Sequence, residues 1–180
     1  MDYLKLSKEI SYALRHAPWE YELELDEEGW VNINQLLTSL CESYEWKDLN
    51  EQDLYAITEK TDKKRHEILN GKIRALYGHS ISNKIIKEPS IPPIILYHGT
   101  AKRFIPSIKE KGILPQSRQY VHLSVDAETA IQVGKRRDGI PALFEIHSLD
   151  AFNAGVQFYL GNDKVWLADY IPSQYIVLVK

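Results

Sequence analysis

A single cysteine, Cys41, stands in 180 residues. It excludes an intramolecular disulfide and any zinc site built from several thiolates. Long apolar runs are also missing: none approaches the ~20 residues that span a bilayer. The start, Met1-Asp2-Tyr3-Leu4-Lys5, has no long apolar stretch behind a basic lead, so no secretory signal and a cytoplasmic protein are expected. A general excess of base is absent too. The formal net charge is -3, which argues against a surface that is basic everywhere.

The charges that are present are unevenly placed. Lys60, Lys63, Lys64, Arg65, Lys72 and Arg74 crowd one stretch. Glu20, Glu22, Glu24, Asp26, Glu27 and Glu28 crowd another, with no base between them. A hydrophobic share of 44% is ordinary for a globular chain, and this length makes one large domain or two small ones.

Leu4, Leu6, Ile10 and Leu14 recur at helical spacing, with Ser7 as the N-cap candidate. That helix should end near Ala17-Pro18, because the residue before proline avoids the helical region. Alternation in 23–26 and 30–33 around Glu27-Glu28-Gly29 predicts a short hairpin. Asn34 and Asn50 are cap candidates for two further helices. Strands over 65–69 and 72–77 are expected to pair across Asn70-Gly71, a strong hairpin signal. Helices followed by such a hairpin predict a winged-helix-like lobe over residues 1–86. Lys87 to Pro93 is proline-rich and reads as a stiff linker. Beyond it, apolar strands at 94–98, 121–124, 142–146 and 176–179 alternate with helical patterns at 103–111 and 126–133. A mixed second lobe over 94–180 follows, and the fold class is α+β.

Six short blocks carry candidate chemistry. Arg74 to Ser80 packs Arg74, Tyr77, Gly78, His79 and Ser80 around a flexible point, a mixture suited to an anion. Leu14-Arg15-His16 ends the first helix, where, for the pair taken alone, a plain dipole-favoured cap is the better explanation. Tyr97-His98-Gly99-Thr100 ends an apolar strand, where a glycine lets backbone approach a ligand and the ring hydrogen-bonds it. A second histidine strand, Val121-His122-Leu123-Ser124, follows. Gly134-Lys135-Arg136-Arg137 is a basic loop, and Lys164-Val165-Trp166-Leu167 reads most simply as core.

In this order, these blocks resemble the RNA 2'-phosphotransferase family of the tRNA 2'-phosphotransferase type. The likeness also takes in Leu6-Ser7-Lys8, Leu25 to Val31 and Gly155 to Tyr159, and so covers nearly the whole chain. It implies a winged-helix lobe, a C-terminal ADP-ribosyltransferase-like lobe, and NAD as co-substrate. The partner implied is a tRNA-like RNA carrying an internal 2'-phosphate, with no metal and no membrane. The phosphate attacks the ribose carbon bearing nicotinamide, and the neighbouring hydroxyl then attacks phosphorus. The products are 2'-hydroxyl RNA, nicotinamide and ADP-ribose 1'',2''-cyclic phosphate.

Carried over by motif, the essential basic set is Arg15, His16, Arg74 and Arg136. His16 would bond the phosphate or give a proton to the leaving 2'-oxygen. The RNA phosphate would meet Arg15, His16, Arg74, His79 and Ser80. His98, Gly99, Thr100, His122, Leu123, Ser124 and Val165 would border NAD. Many ADP-ribosyltransferases carry a glutamate where Val165 stands, and an anionic nucleophile needs no such base. The chain departs from the family pattern at Tyr77, commonly glutamine, and at Tyr120, often basic. Arg136 rather than Arg137 follows from the Gly-x-Arg register. Other readings are an ADP-ribosyltransferase acting on a nucleic-acid end or a protein, and a non-catalytic nucleic-acid-binding module.

Overall fold

The structure, a computed structural model, describes residues 1–180. The chain forms two compact units, Met1–Ile86 and Lys87–Lys180. The fold is mixed α+β, with six helices and two antiparallel sheets. No helix is long and apolar enough to cross a membrane.

In the first unit, α1 (Tyr3–Arg15) buries Leu6, Ile10, Ala13 and Leu14. Its N-cap is Asp2, whose carboxylate accepts the Lys5 N–H at 3.0 Å. Ser7, the expected cap, lies buried inside the helix instead. A cap must precede the first helical N–H groups, which Asp2 does and Ser7 does not. Helix α2 (Ile33–Cys41) is likewise capped earlier than expected, two residues upstream, by Asn32 rather than Asn34. Helix α3 (Glu51–Lys60) begins at Asn50 with a full capping box closed by Asp53.

The three-stranded sheet has the order β1 (Val31–Asn32), β3 (Lys72–Ala75), β2 (His66–Leu69). The hairpin of β2 and β3 turns through Asn70 and Gly71, both at positive φ (50° and 71°). The hairpin expected across residues 23–33 does not form. The Asp26 carboxylate takes the N–H groups of Glu28 and Trp30, and the chain tightens into a turn at Gly29. Val31 and Asn32 then pair with Ile73 and Lys72 of β3, not with residues 23–26. One face of the sheet supplies Ile73 and Ala75 to a core shared with Leu36, Leu40, Leu54 and Ile57.

The second unit is built on a six-stranded antiparallel sheet. Its strands are β4 (Leu96–Thr100), β5 (Val121–Ser124), β6 (Ala142–Ile146), β7 (Phe158–Leu160), β8 (Val165–Ala168) and β9 (Ile176–Leu178). Their order is β7-β8-β5-β4-β6-β9. Leu96, Leu123, Phe144 and Phe158 bury one face, joined by Ile108 of α4 (Ile105–Lys111) and Ala151 of α6 (Ser148–Asn153). Helix α5 (Ala127–Gly134) starts at Asp126, whose carboxylate accepts both the N–H and the hydroxyl of Thr129. Helix α6 and strand β7 were not expected; both are too short to impose a period on the sequence. The proline-rich segment lies against the β7 edge: Ser90 N–H donates to the Phe158 carbonyl at 2.8 Å, and Pro89 bridges Tyr159.

Candidate functional site

In the first unit, the end of α1 is clasped by the segment after β3. The Ser80 N–H donates to the Arg15 carbonyl at 2.9 Å, satisfying one of the carbonyls a helix leaves open at its end. The Ser80 hydroxyl lies 2.7 Å from Nδ1 of His16. Arg15 lies over the Tyr77 ring, 4.9 Å from its centroid. Gly78, at φ +91°, brings the chain so close that an added Cβ would stand 3.4 Å from Cδ and Nη1 of Arg15. Arg15, His16 and Ser80 therefore form one contiguous group, with His16 and Ser80 exposed.

His79 is placed differently. Only 4% of it is exposed, and it packs with Ile85 against the Gly29 turn. Arg74 has partners of its own on the sheet. It pairs with Glu67 across the hairpin, its Nε 2.9 Å and its Nη2 2.8 Å from one carboxylate oxygen. Its guanidinium lies 4.3 Å from the Trp30 ring centroid. Glu67, Arg74 and Trp30 thus make a row across the sheet face opposite the core. Behind that sheet, His66 is buried with Nε2 3.0 Å from the Ser11 hydroxyl, which itself donates to the Ser7 carbonyl. Ser11 has spent its proton, so His66 Nε2 is the donor. Burial, then the charges of Arg15 and Arg65, push its pKa down to about 3, and the ring is neutral.

In the second unit, β4 and β5 share one register pair, Tyr97 with Ser124. His98 bridges the strands beyond it: Nδ1 lies 3.0 Å from the His122 carbonyl. His122 Nδ1 in turn lies 2.9 Å from the Tyr120 carbonyl. A carbonyl only accepts, so Nδ1 carries the proton in both rings. Burial lowers the His98 pKa; the carbonyl bond opposes this and the charge of Arg137 reinforces it. His98 is therefore neutral, with Nε2 an acceptor.

Gly99 serves packing. A Cβ there would stand 1.8 Å from the Ala130 carbonyl, so the backbone that approaches this glycine is that of α5. Thr100 and Ser124 are buried, and Leu123 belongs to the core. Val165 of β8 pairs with Ser124. Arg136 and Arg137 are both exposed in the turn after α5, and Arg137 is the one whose charge reaches His98. Motif reading gave no site role to Trp30 and Tyr159, which lie inside matched blocks, and passed over Glu67 and Asp169 altogether. The Tyr159 hydroxyl donates to Asp169 at 2.9 Å, and Tyr120 meets the Tyr159 ring edge-on at 5.1 Å. Burial and the Asp169 charge push the Tyr120 phenol up to about 12.

Residues 2–170 match the family described as "RNA 2'-phosphotransferase, Tpt1 / KptA family". The chain belongs to that family. A "Probable RNA 2'-phosphotransferase" of Acetivibrio thermocellus is 68% identical over 176 residues, covering 98% of this chain and 97% of the relative. Proteins of the same description from Bacillus thuringiensis and Pectobacterium atrosepticum are 58% and 45% identical. They cover 99% and 95% of this chain, and 96% and 95% of their own lengths. Membership of an RNA 2'-phosphotransferase family makes the protein an enzyme, and Arg15, His16 and Ser80 are a contiguous group in which His16 and Ser80 are exposed and Arg15 is half-buried.

Proposed function

We propose that this protein transfers an internal RNA 2'-phosphate to NAD, giving 2'-hydroxyl RNA, nicotinamide and ADP-ribose 1'',2''-cyclic phosphate. In this reading the first unit is the winged-helix-like, RNA-binding lobe and the second is the ADP-ribosyltransferase-like, NAD-binding lobe. The observation that carries it is the clasp of Arg15, His16 and Ser80. It places a guanidinium, an imidazole and a hydroxyl at one helix end, all suited to a phosphate dianion.

What NAD supplies when bound is an activated ribose carbon and an adjacent hydroxyl. His98 fits such a ligand: a neutral imidazole with Nδ1 committed to the backbone offers Nε2 to a sugar hydroxyl. Arg15 and Arg74 orient the phosphate and offset its charge as phosphorus becomes five-coordinate, work of positioning and electrostatics. Ser80 fixes the His16 ring, which bonds the phosphate or gives a proton to the departing 2'-oxygen. Arg136, in the second unit, is the further catalytic cation that the family resemblance implies.

Incubation with NAD and a short RNA carrying an internal 2'-phosphate tests this directly. Loss of the phosphate together with nicotinamide release is the expected result. Absence of both sinks the reading, and build-up of ADP-ribosylated RNA identifies a transferase that stops after the first step.

A further inference from the structure

A guanidinium binds phosphate through N–H groups that lie in its own plane. A partner that grips its face holds it without spending those donors. Both candidate guanidiniums of the first unit have such a partner. Arg74 lies 4.3 Å from the Trp30 ring centroid and Arg15 lies 4.9 Å from that of Tyr77. Both distances fall inside the ~6 Å over which an aromatic face attracts a cation.

The backbone builds each platform. Trp30 continues the β1–β3 register one residue beyond the Val31–Ile73 pair, which sets it across from Arg74. Its main-chain N–H donates to the Asp26 carboxylate at 2.9 Å. Tyr77 is set by Gly78, whose φ of +91° folds the segment against Arg15, and by the Ser80 bond to the Arg15 carbonyl. Glu67 also holds Arg74, but it occupies the Nε–Nη2 edge and adds a negative charge that opposes an incoming phosphate. An aromatic ring does neither.

We propose that Trp30 and Tyr77 are positioning residues, aromatic platforms that pre-set Arg74 and Arg15 for the oxygens of an RNA 2'-phosphate. This rests on the RNA 2'-phosphate reading above. A platform of this kind acts on phosphate preference and leaves affinity for the rest of the RNA alone.

The test compares binding of one oligoribonucleotide with and without its internal 2'-phosphate. The proteins are the wild type, Tyr77→Leu, Tyr77→Phe, Trp30→Leu and Trp30→Phe, with thermal midpoints measured alongside. Each leucine variant should lose about three- to thirtyfold of the preference for phosphorylated RNA, while each phenylalanine variant stays within about threefold of wild type. Affinity for unphosphorylated RNA should hold throughout. In an Arg15→Ala background, Tyr77→Leu should cost nothing further. Leucine variants that keep the full preference overturn the inference, as do leucine variants that weaken both RNAs equally. Phenylalanine variants that fall as far as leucine overturn it too. A wild type with no preference for the phosphorylated RNA overturns the functional reading itself, whereas preference and turnover that survive both leucine changes sink only the platforms.

Discussion

The Nδ1–H of His98 donates to the main-chain carbonyl of His122 at 3.0 Å. It ties β4 to β5 just beyond their single register pair, where a ladder bond would otherwise serve. One ring atom thus has a structural duty and the other, Nε2, is the proposed contact to NAD. Asparagine separates them, because its amide N–H can reach where Nδ1 does and nothing replaces Nε2. His98→Ala should destabilise the second unit by about 0.5–1.5 kcal/mol, the net contribution of the lost hydrogen bond. His98→Asn should recover most of that in urea unfolding, yet both variants should bind NAD weakly by calorimetry.

His66 makes stability depend on pH. Its folded pKa is about 3, against 6.5 for the ordinary imidazole. Between those values the unfolded chain binds a proton that the folded one refuses. Stability is therefore complete above the ordinary value and is lost as pH falls, by about 1.4 kcal/mol per pH unit for one such histidine. The lowered pKa of His98 acts in the same direction. Urea unfolding of His66→Gln, which keeps a donor for Ser11, should show a shallower loss between pH 6.5 and 4.5 than the wild type, about 1.4 kcal/mol less per unit.

Gly99→Ala should be among the most damaging small changes in the second unit. The new Cβ would meet the Ala130 carbonyl at 1.8 Å, and both partners are backbone, so strand and helix must part. A cost of about 3 kcal/mol or more is expected, read as a lowered thermal midpoint or loss of soluble protein. Gly139→Ala is the control: nothing lies within 4 Å of its added methyl, and its effect should stay within about 0.5 kcal/mol.

The two adjacent arginines after α5 should separate by readout. Arg136→Ala should lower turnover of 2'-phosphorylated RNA by about 10²- to 10³-fold, the scale for removing one donor to developing charge, with RNA binding retained. Arg137→Ala should cost less turnover. Because the Arg137 charge helps hold the His98 pKa down, its loss should instead shift the His98 titration upward by NMR. A larger turnover loss at Arg137 than at Arg136 would reverse the assignment.

Much of the local architecture was legible in the chain. Asn70-Gly71 marks the β2–β3 turn, and residues equally distant from a two-residue turn pair. Glu67 opposite Arg74 follows from that count alone, although motif reading passed over Glu67. Asn50 and Asp126 announce their helices because a cap is a contact between neighbours in sequence. Alternation in 23–26 and 30–33 misled, since the Asp26 side chain competes for the same backbone N–H groups that a hairpin would use.

By itself, then, the sequence determined the elements whose causes are local: the Asn50 cap, the Asn-Gly turn, the apolar strands and the order of motifs that marks the family. Tertiary structure alone decided what depends on contacts far apart along the chain. It set Arg15 over Tyr77, turned His79 inward against Gly29, and made Gly99 a seat for α5. It also joined two histidine strands through one imidazole. Such contacts follow from how faces pack and how registers meet, and periodicity within one segment carries no record of its distant partner.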